Sequence, residues 1–152
     1  MDDATDLRSA GLRVTAARLA ILDVVRSGNH LEAERIARGV RDRVGHVSTQ
    51  AVYDGLNALT RVGLVRRIEP AGSPARYEVR VGDNHHHLVC RVCGEVTDVD
   101  CVVGAAPCLE PAGDHGYSVD EAEVVFWGVC PQCRAGSARP EESAVPATGR
   151  TP

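Results

Sequence analysis

The 152-residue sequence predicts an α+β chain: an N-terminal winged helix-turn-helix domain, then a small C-terminal α/β domain built on a structural zinc. Three observations carry that expectation. Three stretches with helical spacing of apolar residues come first, followed by two short strand-like runs around a Pro/Gly loop. Beyond residue 84 the apolar stretches become short and Val-rich, and two Cys-x-x-Cys pairs bracket them. Charge divides at the same place: residues 1–80 hold 13 Arg against 10 acidic residues, whereas residues 81–152 hold 4 against 11. The front half is thus net +3 and the back half net −7, although the whole chain is −4. A basic front half suits a polyanionic partner. Lysine is absent, and GC-rich codon usage is the plain explanation.

The first residues, "MDDATDLRSAG", are acidic and lack an apolar core, so they do not read as a signal peptide. In "TAARLAILDVV", Thr15 is placed to cap a helix that turns Leu19, Leu22 and Val25 inward, and Gly28 stops it. "LEAERIARGVRDRV" repeats the pattern through Ile36, Val40 and Val44. A third helix, "STQAVYDGLNALTRVG", has Ser48 as its cap, Val52, Leu56 and Leu59 inward, and Gly63 as its stop. Its opposite face carries Thr49, Gln50, Tyr53 and Asn57. "LVRRIE" and "RYEVRV" then flank the turn-rich "PAGSPA" as a hairpin. In a winged helix-turn-helix the third helix enters the major groove of DNA and the hairpin lies along the backbone.

A boundary is expected at "VGDN", residues 81–84, giving a winged-helix domain over 1–82 and a second domain over 83–135. "HLVCRVC", "EVTDVDC" and "AEVVFWGVC" read as strands, and Pro107 and Pro111 leave room between them for only a short or broken helix. The small, polar, Pro-rich residues 136–152 read as a disordered tail. No apolar run approaches the roughly 18 residues of a membrane span. The expected location is therefore the cytoplasm, where thiols stay reduced and six cysteines point to metal or redox chemistry.

Cys90-x-x-Cys93 and Cys130-x-x-Cys133 are two knuckles with 36 residues between them. Brought together by a sheet, they supply four sulfurs for a closed tetrahedral zinc. The rival, a thioredoxin-like redox pair, needs a knuckle leading into a helix of a βαβ unit. Cys101 and Cys108 read as small buried hydrophobes, with a redox role or an extra ligand as the alternative.

In "DNHHHLVCRVCG", His85 and His87 alternate along a strand and share one face, while His86 faces the other. Glu78 and Asp98 are candidate oxygen ligands for the same ion. A mixed N/O set suits Fe(II), Mn(II) or Zn(II). Each histidine alone reads as solvated surface; two in register beside carboxylates do not. His30 alone reads as an exposed loop residue, and His46 and His115 as turn residues.

The segments "LRVTAARLAIL", "HLEAERI", "VSTQAVYDGLNALTRVGLVRRIE", "ARYEV", "DNHHHLVCRVCG" and "CPQC" together resemble the ferric uptake regulator (Fur) family over roughly residues 7–133. "QAVYD", "RVGDNHHHLVC", "DVDC" and "DEAEV" are most like its actinobacterial FurA-type, peroxide-sensing branch. The resemblance implies a homodimeric, metal-dependent transcriptional repressor rather than an enzyme, with the C-terminal domain as dimerisation domain. It places a regulatory Fe(II) or Mn(II) on His30, Glu78, His85, His87 and Asp98, with His30 at a hinge between the domains. It places structural zinc on Cys90, Cys93, Cys130 and Cys133. Peroxide reacting at Fe(II) would oxidise a ligand histidine and end repression, whereas zinc or manganese there would give a peroxide-blind repressor. A palindromic DNA operator is the expected partner: Ser48, Thr49, Gln50, Tyr53 and Asn57 lie on the reading helix, and Arg13, Arg18, Arg66 and Arg67 meet phosphate.

The chain departs from the family pattern at "DEAE", residues 120–123, where many relatives carry a histidine, and His86, Glu121 and Glu123 are candidates for a different oxygen-rich site. Asp54 stands where a basic or amide residue is common in the family. Two other readings remain: a repressor reporting iron or zinc sufficiency, and a zinc hydrolase with Glu78 as base. The second lacks a motif such as His-Glu-x-x-His.

Overall fold

The computed structural model describes residues 2–28, 30–79, 85–100, 113, 115–119 and 122–136. The chain opens with a helix that the sequence reading did not expect, α1 (Asp3–Ser9). Asp2 caps it by accepting from the Ala4 N–H at 3.4 Å, and Asp3 and Asp6 sit in its first turn, the end that favours negative charge. One apolar residue, Leu7, buries its whole side chain, and an Arg26–Asp3 pair at 2.7 Å ties α1 to the next helix.

Helix α2 (Ala16–Ser27) starts where Thr15 Oγ1 accepts from the Arg18 N–H at 3.2 Å and ends at Gly28. The stretch expected to be wholly helical from Leu31 is divided. Leu31–Glu32 forms a short strand, β1, and the helix α3 runs Ala33–Val44. Leu31 faces Tyr77 across an antiparallel ladder, so pairing with a distant strand overrides the local helical preference. Ile36 and Val40 are fully buried; Val44, expected inward, is 38% exposed as the last residue of α3. Ser48 Oγ caps α4 (Thr49–Arg61) by accepting from the Ala51 N–H at 3.1 Å. Past its end, Gly63 takes a positive φ of 72°.

Ile21, Leu22, Val25, Ile36, Val40, Val52, Leu56 and Leu59 form the core of this helical unit. A Cβ at Gly55 would lie 2.5 Å from Ile21 Cδ1, so the glycine sets how closely α4 approaches α2. The wing is β2 (Arg66–Ile68) and β3 (Arg76–Glu78), and β1 joins it in a three-stranded sheet of order β1-β3-β2.

A second sheet holds β4 (His85–Cys90), β5 (Val96–Asp100) and β6 (Val125–Gly128), in the order β5-β4-β6. β4 pairs antiparallel with β5 and parallel with β6. A one-turn helix, α5 (Pro131–Arg134), follows Cys130. A smaller core of Val89, Val96, Val125 and Trp127 includes Ile68 from β2, so the wing packs directly on the second sheet. No helix among the described residues is long and apolar enough to cross a membrane. The expected boundary at 81–84, Cys101, Cys108, Glu121, the broken helix at Pro107–Pro111 and residues 137–152 of the expected tail lie outside the described residues.

Candidate metal centres and DNA-facing helix

The two knuckles meet at one end of the second sheet. Cys90 ends β4, and a bond from the Gly94 N–H to the Cys90 carbonyl at 2.9 Å turns the chain so that Cys93 comes back beside it. Cys130 caps α5 and Cys133 lies within it. All four sulfurs lie within 4.8 Å of one another, and Cys93 and Cys130 are 3.7 Å apart. Zn–S bonds of ~2.3 Å in a tetrahedron would space sulfurs by ~3.8 Å, so the donor set fits zinc in kind and in size.

Electrostatics point the same way. Burial pushes the Cys90 thiol up, but backbone N–H groups, that of Cys130 foremost, outweigh it and bring the thiol down to about 6. Burial and the neighbouring Cys130, Cys93 and Cys90 push Cys133 up to about 12. Four clustered sulfurs cannot all ionise together without a cation, and a divalent ion supplies the missing charge.

The second cluster draws on four elements. His30 sits in the turn before β1, Glu78 ends β3, His85 and His87 share one face of β4, and Asp98 is on β5. His85, His87, Glu78 and His30 are each at most 2% exposed. The sequence reading of His30 alone as an exposed loop residue is thus overturned: folding closes the second sheet over it. His30 Nε2 lies 2.9 Å from Glu78 Oε2 and 2.8 Å from Asp98 Oδ1. Neither approach has hydrogen-bond geometry. His87 Nε2 lies 3.4 Å from Glu78 Oε2 and 3.7 Å from Asp98 Oδ1, and His85 Nε2 lies 3.2 Å from Glu78 Oε1.

One donor atom each from His30, Glu78, His87 and Asp98 falls within 4.8 Å of the other three, and His85 borders the same carboxylates. Metal–ligand bonds of ~2.1 Å put neighbouring ligand atoms ~3.0–3.4 Å apart, close to these spacings. The residues fit a divalent cation. Burial raises the Glu78 carboxyl, but contacts with His30 and His87 and the charges of His85 and His87 outweigh it, holding the carboxyl well below the usual range. His86 faces away, its ring 6.4 Å from that of Phe126. Glu123 lies 3.9 Å from His87 Nδ1, behind the cluster.

On α4, Thr49, Gln50, Tyr53 and Asn57 are all exposed, as is the capping Ser48. Gln50 Nε2 donates to Asp54 Oδ1 at 2.8 Å, and Arg41 Nη2 donates to Thr49 Oγ1 at 2.7 Å. Arg18 donates to the Arg13 carbonyl at 2.7 Å, which places both on one surface. Arg67 is exposed beside Glu69 at 3.0 Å. Arg66 is only 18% exposed and turns towards Glu78 at 3.9 Å.

Arg76 escaped the sequence reading. Its guanidinium joins the His30 carbonyl, the Gly94 carbonyl and Glu32. One signal was available: two residues before Glu78 on a strand, it shares that side chain's face.

The model of the ferric uptake regulator family matches residues 9–126. The chain belongs to the ferric uptake regulator family. Over 132 residues it is 57% identical to the transcriptional regulator FurA of Mycobacterium tuberculosis (strain ATCC 25618 / H37Rv), covering 87% of this chain and 90% of that protein. The crystal structure of the Vibrio cholerae ferric uptake regulator is similar at a TM-score of 0.70 and 30% identity, over 85% of this chain and all (100%) of that one. The Pseudomonas aeruginosa ferric uptake regulator, solved with manganese, has a TM-score of 0.66 at 26% identity, over 86% of this chain and 99% of that one. Ferric uptake regulators are metal-responsive, dimeric DNA-binding transcriptional regulators and not enzymes, which removes the hydrolase reading.

Proposed function

We propose that this chain is a cytoplasmic, homodimeric repressor in which Cys90, Cys93, Cys130 and Cys133 hold a structural zinc and His30, Glu78, His85, His87 and Asp98 hold an exchangeable Fe(II) or Mn(II). With iron it reports peroxide, controlling oxidative-stress genes and its own gene. The observation that carries this reading is the approach of His30 Nε2 to Glu78 and Asp98 at 2.9 and 2.8 Å, which gathers three separate elements in one buried cluster.

His30 lies within the helical unit, between α2 and β1, Glu78 closes the wing, and the remaining ligands lie on the second sheet. A cation shared among them favours the arrangement in which the two units are drawn together. DNA favours the same arrangement if it sets the two α4 helices of a dimer about 34–36 Å apart on a palindromic operator. Metal and DNA then raise each other's affinity by population shift. Thr49, Gln50, Tyr53 and Asn57 face the bases from α4. Arg13, Arg18 and Arg67 meet phosphate; Arg66, turned towards Glu78, belongs to the edge of both surfaces. When bound, iron supplies one-electron chemistry towards peroxide that manganese does not readily provide. Oxidation of His30 or His85 would remove a nitrogen donor and with it the link between the units.

The test is a gel shift on the protein's own upstream DNA with Fe(II) and with Mn(II), each with and without mild peroxide. Both ions should promote binding, and only the iron form should lose it, with a ligand histidine gaining the mass of one oxygen atom. Equal sensitivity of both forms would move the sensor to the thiols. Insensitivity of both would leave a repressor of metal-uptake genes that reports iron or zinc sufficiency.

A further inference from the structure

Arg76 touches both metal centres through the backbone. From β3, its Nη1 donates to the His30 carbonyl at 3.1 Å and its Nη2 to the Gly94 carbonyl at 3.0 Å. Glu32, its cross-strand partner on β1, anchors the guanidinium at 3.3 Å. The side chain is 16% exposed, so these bonds are largely shielded from water.

Each acceptor occupies a mechanically sensitive place. His30 has φ 56°, the left-handed region that a side chain with a Cβ disfavours, and its carbonyl direction is tied to the direction of its ring. Gly94 has φ 72° and closes the Cys90–Cys93 turn through its N–H bond to the Cys90 carbonyl. A Cβ on Gly94 would stand 3.5 Å from Arg76 Nη2, so the turn and the guanidinium are in contact along their edges. The planar guanidinium has donors pointing in fixed, divergent directions and can span two carbonyls at once; an ammonium is a single point of charge.

We propose that Arg76 is a positioning residue that couples the two centres. Filling the cysteine cluster fixes the turn at Gly94, Arg76 passes that position to the His30 backbone, and the His30 ring is thereby held where it serves the second cluster. Zinc at the cysteines then strengthens divalent-cation binding at the histidines. By reciprocity, a cation at the histidines tightens zinc binding by the same factor. This rests on the assignment of the histidine–carboxylate cluster as a cation site.

The experiment uses the full-length dimer, with Mn(II) alone as probe, its free concentration read by electron paramagnetic resonance, and zinc content and zinc retained at equilibrium against a zinc-selective chelator measured on the same samples. Arg76→Lys should keep its zinc and its dimeric state while its Mn(II) Kd weakens by about tenfold, the low end for groups that orient a metal ligand. In the parent protein Mn(II) should raise the zinc retained at equilibrium against a competing chelator, and in Arg76→Lys that protection should disappear. Glu32→Gln leaves both carbonyl bonds but loosens their anchor, so it should give a smaller weakening in the same direction and serves if Arg76→Lys does not fold. A Mn(II) Kd at the parent value in both variants, or zinc protection in Arg76→Lys equal to the parent's, overturns the coupling. His87→Ala is the control. If it binds Mn(II) as well as the parent, the cluster assignment itself fails; if it does not, an unaltered Arg76→Lys condemns the coupling alone.

Discussion

A cluster of three buried histidines and two carboxylates must balance its charge among its own members or with a cation, and that gives single residues measurable consequences. His87 is 0% exposed and contacts both Glu78 and Asp98, so His87→Ala should abolish Mn(II)-dependent operator binding while leaving the zinc content unchanged. Gel shift and metal analysis on one preparation check both halves of that statement. Glu78 carries a pH signature. Its carboxyl is held below the ordinary range in the folded chain, so the folded state takes up that proton less readily than the unfolded one. The resulting stability is present above the unfolded carboxyl's pKa and is lost as pH falls through that value towards the folded one. Metal-free Glu78→Gln should therefore melt below the parent at neutral pH, and the gap should close once pH falls below the unfolded carboxyl's pKa; a gap that persists undiminished there would show that ionised Glu78 is not what stabilises the parent. The alternation of His85 and His87 was legible from period two alone. His30 was not: its burial comes from a sheet that begins 55 residues later in the chain, at His85, and only the family pattern pointed to it.

At the scale of elements, what was legible is what is local. Thr15 and Ser48 accept from the N–H groups three residues on, and Gly28 and Gly63 close the same helices, so α2 and α4 could be placed from cap chemistry. Helix α1 carries a single buried apolar residue, Leu7, which is too little periodicity to register. β1 exists because Leu31 pairs with Tyr77, a contact that no local pattern encodes. The α2–α4 crossing yields a prediction about packing. A methyl group at residue 55 would stand 2.5 Å from Ile21 Cδ1, so Gly55→Ala should lose about 1–3 kcal/mol through overpacking despite alanine's better helix propensity. Thermal melts of the metal-free protein check this, and a stabilised variant would mean that Ile21 moves aside freely. The exposed face of α4 yields another. Tyr53→Ala should reduce discrimination between operator and random DNA, because base edges carry the sequence information. Arg13→Ala should weaken both alike and lower the salt slope by about one unit. Indistinguishable profiles for the two variants would refute that division.

For the whole molecule, the cysteine cluster and the wing belong to one mechanical unit, because Ile68 of β2 packs with Val89 and Val96 of the second sheet. The cysteine cluster closes that sheet at the end where β4 and β6 run parallel, with the Arg91 N–H bonded to the Gly128 carbonyl at 2.8 Å. Beside it, the Arg91 guanidinium lies 5.1 Å from the centre of the Trp127 ring, and Trp127 is the chain's one tryptophan. Its fluorescence is therefore a built-in reporter of the knuckle. Cys93→Ser removes one thiolate from the set and leaves three sulfurs and an open edge, which a closed structural zinc does not tolerate. The variant should lose zinc, dimerisation and thermal stability together, with a shift in Trp127 emission that chelator reproduces in the parent. Protons compete with zinc for the same sulfurs, so acid should produce that shift in the parent as well. The loss should also reach DNA binding, although none of the cysteines lies on α4, because β2 and the turn at Gly94 would lose their support together. A Cys93→Ser protein that stayed dimeric, fully loaded with zinc and competent for DNA would show that the four sulfurs are neighbours without being one site.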